Sequence, residues 1–102
     1  MELWEVLVPA WIKPGIEYAL HYHHKWDDQV RKIAGGLTVF PLAKGQWLCP
    51  KGTLHDEPMI PVRIACTKEQ IEQISDLVNV HYNQKSVMYY RVSDLVVIKQ
   101  YS

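Results

Sequence analysis

Between Leu3 and Pro9 side chains alternate, with Trp4, Val6 and Val8 on one side and Leu3, Glu5 and Leu7 on the other. This predicts a strand whose outer face carries one charge. "KPG" (residues 13–15) then marks a turn. From Ile16 the spacing changes to threes and fours, through Ala19, His23, Trp26, Val30 and Ile33, which is the stripe of an amphipathic helix. Gly35-Gly36 supplies its left-handed cap. Leu37–Leu42 reads as a second strand, and an aperiodic loop from Ala43 to about Pro58 follows it.

Met59–Cys66 reads as a third strand with Ile60, Val62 and Ile64 toward the core. Pro61, on its other face, has no N–H to donate and predicts a bulge or a lost ladder bond. Thr67 and Gln70 have the capping-box spacing that opens a second helix, whose apolar face is Ile71, Ile74, Val78 and either His81 or Tyr82. Ser86–Val92 forms a fourth predicted strand, and "LVVIKQY" a fifth.

This order, β-α-β-β-α-β plus a C-terminal strand, predicts an α+β, ferredoxin-like domain over residues 1–102: an antiparallel sheet with both helices on one face. The uncovered face would carry Leu3, Glu5, Leu7, Arg63, Tyr89 and Arg91. So apolar a face is seldom left in water, and its covering by further copies of the chain is expected.

Charge narrows the classes of function. Eleven basic and eleven acidic residues cancel, so no basic stripe is available for nucleic-acid binding. No apolar run is long enough to span a bilayer. The opening "MELWEVLVPAW" lacks the basic start and small-residue cleavage site of a signal peptide, so a cytoplasmic location is expected. Cys49 and Cys66 follow no metal spacing and are expected to be free thiols, Cys66 in the core.

The first helix is rich in histidine. His23 falls inside the apolar stripe and is expected to be structural, whereas His21, His24 and Asp28 share the outer face. Three ligands on one exposed face make a weak site, so no metal is expected there, and no cofactor. His24, Asp27 and Arg31 line the boundary between the stripe and solvent. Arg31 suits a phosphate or carboxylate and Asp27 a hydroxyl or amine; an intrahelical Asp27–Arg31 pair is the alternative. In the long loop, Trp47 offers a stacking surface and Lys44 a cation, the alternative being a solvated hairpin whose tryptophan turns back on the protein. Glu5 and Glu57 are the isolated carboxylates fit to act as a base in a pocket. No nucleophile motif, HExxH or CxxC is present.

The element order with its long loop resembles the PII-like branch of ferredoxin-like proteins. "LWEVLVPA", "HYHHKWDDQVRKI" and "EPMIPVRIACTKEQ…VHYNQKSVMYYRVSD" are similar in order and character to phage-encoded S-adenosylmethionine-degrading proteins. The resemblance implies a homotrimer with nucleotide-like ligands bound between subunits, acting in the host cytoplasm if phage-encoded. It places His24, Asp27, Arg31, Lys44 and Trp47 at that ligand. As the alternative it implies S-adenosylmethionine lyase activity, with cleavage to methylthioadenosine and homoserine lactone, and matches Glu57 to the catalytic carboxylate. The loop carries no tyrosine to match the one expected in such an active site, so sequestering or sensing a ligand is expected ahead of cleavage.

Overall fold

The computed structural model describes residues 1–102. Its elements are β1 (Glu2–Pro9), β2 (Trp11–Lys13), β3 (Ile16–Glu17), α1 (Leu20–Ala34), β4 (Thr38–Val39), β5 (Gln46–Leu48), β6 (Leu54–Asp56), β7 (Met59–Cys66), α2 (Lys68–His81) and β8 (Tyr89–Ser93). The main sheet runs β4-β7-β1-β8, and every neighbouring pair is antiparallel. Alternation fixes which face is dry: Trp4, Val6 and Val8 of β1 and Val62, Ile64 and Cys66 of β7 all point into the core. Trp26 and Val30 of α1 meet them there, as do Ile71, Ile74 and Val78 of α2. Both helices therefore lie on one face of the sheet.

The helices run antiparallel, joined at both ends. Gln70 closes the capping box with Thr67, and its Nε2 also donates to the Ile33 carbonyl at 2.9 Å, tying the start of α2 to the end of α1. At the other end Tyr18 donates to the Tyr82 carbonyl at 2.9 Å, and Tyr22 donates to the His81 carbonyl.

Several details depart from the sequence reading. Ile16 is not helical: Pro14-Gly15, with Gly15 at φ +80°, folds β3 back on β2, and α1 starts only after Ala19. The second strand shrinks from Leu37–Leu42 to two residues, because only Thr38 and Val39 find ladder partners on β7. Pro61 makes no bulge. It sits opposite Leu7 in an unbroken register, and the irregularity falls instead between Leu3 and Trp4 on the β8 side. That shift matters for the fourth strand, which begins at Tyr89, so Tyr89 pairs with Val6 and Arg91 with Trp4. Tyr89 and Arg91 therefore turn to the helix side, Tyr89 against Trp4 and Arg91 paired with Glu2 at 3.1 Å. Tyr90, opposite Glu5, takes the place on the open face expected for Tyr89.

The loop from Ala43 to Pro58 is not structureless either. It contains the β5–β6 hairpin, whose strands pair only with each other. The run "LVVIKQY" forms no ladder within the chain, and Leu95, Val97, Ile98 and Tyr101 are exposed along it. The molecule measures 54 × 28 × 22 Å with a radius of gyration of 14.7 Å. A compact chain of this length is expected near about 13 Å. No helix is long and apolar enough to cross a membrane.

Candidate functional site

The hairpin root is built by a close backbone approach. The Gly45 carbonyl accepts from the Glu57 amide at 2.8 Å, and a Cβ at position 45 would collide with the Glu57 carbonyl oxygen. Only glycine lets the two strands meet there, and this fixes Glu57 at the mouth of a cleft. The cleft, about 580 Å³, is lined by Trp47 and Glu57 from the hairpin side and by Leu7, Met59, Gln84 and Met88 from the body. Trp47 stacks on His55 with ring centres 4.4 Å apart and planes 15° from parallel. It is still 47% exposed, so one face remains available. Lys44 opens on an adjoining groove of about 420 Å³ shared with Trp11 and Asp56.

His24 and Asp27 lie elsewhere in the chain. They line a cavity of about 240 Å³ beneath α1, together with Leu20, Trp26, Val39 and Ile60. Arg31 is bonded to Asp28, one residue closer along the helix than the Asp27 pairing considered from the sequence. A single chain therefore brings Trp47 and Glu57 together, with Lys44 next to them, and His24 with Asp27, but does not join the two groups.

His23 points inward, its Nδ1 sharing a hydrogen bond of 2.7 Å with the Tyr82 hydroxyl. Burial holds His23 below the usual histidine range, against the pull of Asp27. Burial also raises the Asp27 carboxyl, which His24 and Arg31 partly offset. The buried Tyr82 phenol is pushed far above its ordinary value by desolvation, so it remains a hydroxyl at any physiological pH. No three His, Cys, Asp or Glu side chains are grouped as ligands for a metal ion.

Sequence reasoning missed two constellations outside the helix pair. On the open sheet face Glu5 is only 7% exposed, held by Arg63 Nε at 2.9 Å and by the Tyr90 hydroxyl. The Glu5 charge was visible in the sequence, but its partners depended on strand register. The other is Cys49 at the hairpin tip. A hydrogen bond from His55 and backbone donors at Thr53 and Lys51 lower its thiol to about 7, while burial raises the Cys66 thiol to about 11. Thiolate is the reactive form, so alkylation of Cys49 by iodoacetamide is expected to rise through about pH 7, with Cys66 inert in the folded protein. In His55→Ala the rise should move toward pH 9, the ordinary thiol value. Equal rates at the two cysteines under native conditions would contradict this assignment.

No protein-family model matches the chain, and no curated protein matches it in sequence. Solved structures do match in fold. The divalent cation tolerance protein CutA1 of Thermus thermophilus superposes with a TM-score of 0.65 at 9% identity, over 98% of this chain and 86% of that one. The periplasmic divalent cation tolerance protein CutA of Archaeoglobus fulgidus gives 0.68 at 11% identity, over 96% and 87%. A phage S-adenosylmethionine lyase in complex with S-methyl-5′-thioadenosine gives 0.64 at 15% identity, over 89% and 88%. Identities this low establish architecture alone, and the architecture is the ferredoxin-type, PII-like fold shared with the CutA proteins and that lyase.

Proposed function

We propose that copies of this chain assemble, most simply as a homotrimer, around small nucleotide-like ligands, and that the protein sequesters or senses the ligand. The observation that carries this reading is the cleft at the hairpin root, where the free face of Trp47 and the Glu57 carboxylate share one space. An aromatic plate beside a carboxylate suits a flat heterocycle bearing polar groups. Lys44 would meet an anionic part of the ligand from the adjoining groove. Arg31 and His24 would reach the same cleft from the helix edge of a neighbouring copy. Asp27 belongs with the cavity beneath α1, considered below.

The surface supports assembly. The open sheet face presents Leu3, Leu7, Tyr90 and Val92, and the unpaired C-terminal run adds Leu95, Val97, Ile98 and Tyr101. Apolar area of this kind is normally covered in a protein that remains in solution.

A second reading is supported by the fold shared with a lyase crystallised with S-methyl-5′-thioadenosine. In an S-adenosylmethionine lyase the substrate's own carboxylate attacks its γ-carbon, the carbon–sulfur bond breaks, and methylthioadenosine leaves with homoserine lactone as the other product. Glu57, at the cleft mouth, would then face the cationic end of the substrate.

Native mass spectrometry of protein purified from cells tests the first reading. Three times the 11.9 kDa chain mass is expected, together with a retained small molecule that is released on denaturation. A bare monomer at micromolar concentration would overturn it. Incubation with S-adenosylmethionine separates the two readings, since only the second yields methylthioadenosine.

A further inference from the structure

The cavity beneath α1 is distinct from the hairpin cleft and is complete within one chain. Its walls are apolar: Val8, Ile60 and Val62 rise from the sheet, Val39 from the edge strand and Leu20 from the first turn of the helix. His23, His24, Asp27 and Tyr82 break this lining. The Asp27 carboxylate borders the cavity half-buried and engages no hydrogen bond or ion pair, because the nearby Arg31 is held by Asp28. Trp26 also lines the space, with its indole Nε1–H buried out of an occupant's reach.

Size and chemistry together define an occupant. A dry apolar cavity of about 150 Å³ accepts benzene, so 240 Å³ leaves room for one ring with a short polar arm. An unpaired carboxylate at low local dielectric favours a cation with several N–H donors. His23, His24 and Asp27 do not converge as a group of metal ligands, which makes an organic cation the fitting partner. We infer that this cavity is a second binding site, which takes a small single-ring amine with its ammonium on Asp27 and its ring against Val39, Ile60 and Val62. The site goes beyond the proposed interface cleft and does not depend on assembly.

Benzylamine tests the inference, with benzyl alcohol as the uncharged probe of similar shape. Titrated into the ¹⁵N-labelled protein, benzylamine should shift the amides of Leu20–Asp27, Val39 and Ile60–Val62. Asp27→Asn keeps the shape of this half-exposed residue and should weaken benzylamine roughly ten- to a hundred-fold, as expected for losing a charge-assisted hydrogen bond. It should leave benzyl alcohol within about two-fold, since that probe carries no charge to pair. Val39 is 51% exposed, so Val39→Trp can fill the mouth without disturbing the core, and should abolish binding of both probes. Unchanged benzylamine affinity in Asp27→Asn, undiminished binding in Val39→Trp, or shifts confined to the Trp47 cleft would each overturn the assignment. Trp47→Ala should leave benzylamine binding intact, which separates a failure here from a failure of the interface reading.

Discussion

Trp26→Ala is expected to cost about 3–5 kcal/mol of folding stability, the range for deleting a large buried aromatic. Trp26 is 1% exposed and sits where α1 meets the sheet, with its ring centre 6.2 Å from that of Tyr82. Removing it takes away contacts in the shared core and enlarges the cavity that Asp27 borders. Proteins of this length have roughly 5–15 kcal/mol in all, so the variant should populate unfolded chain measurably at physiological temperature. Urea denaturation at matched protein concentration gives the comparison, since assembly would otherwise shift the apparent stability. A loss below about 1 kcal/mol would mean that the site collapses around the missing ring far better than a close-packed core normally does.

Trp26 was legible from the sequence because its position on a 3.6-residue stripe needs only local information. The same holds for β1, β7 and α2, whose alternation, spacing and Thr67–Gln70 box predict elements that the structure contains. What misled was non-local. The parity of β8 rests on an irregularity opposite Leu3 and Trp4, which no residue in β8 announces, and one step of register exchanged Tyr89 for Tyr90 on the open face. Glu5, Arg63 and Tyr90 come from three strands, so their cluster exists only once both registers are set.

The candidate ligand residues show the same division. Trp47 and Glu57, ten positions apart, meet because the loop is a hairpin returning through Gly45. His24 and Asp27 were placed on the helix edge by the wheel, and they do lie on one side of α1. Their separation from Trp47 could not be read from periodicity, because it depends on where the hairpin projects. The Tyr18, Tyr22, His81 and Tyr82 cluster was missed for a related reason. Tyr18 lies just before the helix, and Tyr22 lies beside the stripe rather than on it, yet both hydroxyls reach backbone carbonyls at the far end of α2.

Trp47→Ala should separate ligand binding from folding. The indole is 47% exposed and rests on His55 in a hairpin that shares no ladder with the main sheet, so stability should change by less than about 1 kcal/mol. Stacking of a heterocycle on such a face is worth about 1–3 kcal/mol, so affinity for the proposed nucleotide-like ligand should fall about ten- to a hundred-fold. The ligand identified by native mass spectrometry, added back to ligand-stripped protein in a calorimetric titration, provides the measurement. Glu57→Gln supplies the internal control, because it keeps shape and removes charge at another wall of the same cleft. If the ligand's polar end is cationic, this variant should weaken binding while Trp47 still stacks. Both variants binding as tightly as the parent, with fold and assembly intact, would remove the hairpin root from consideration and return the search to the surfaces that copies of the chain would share.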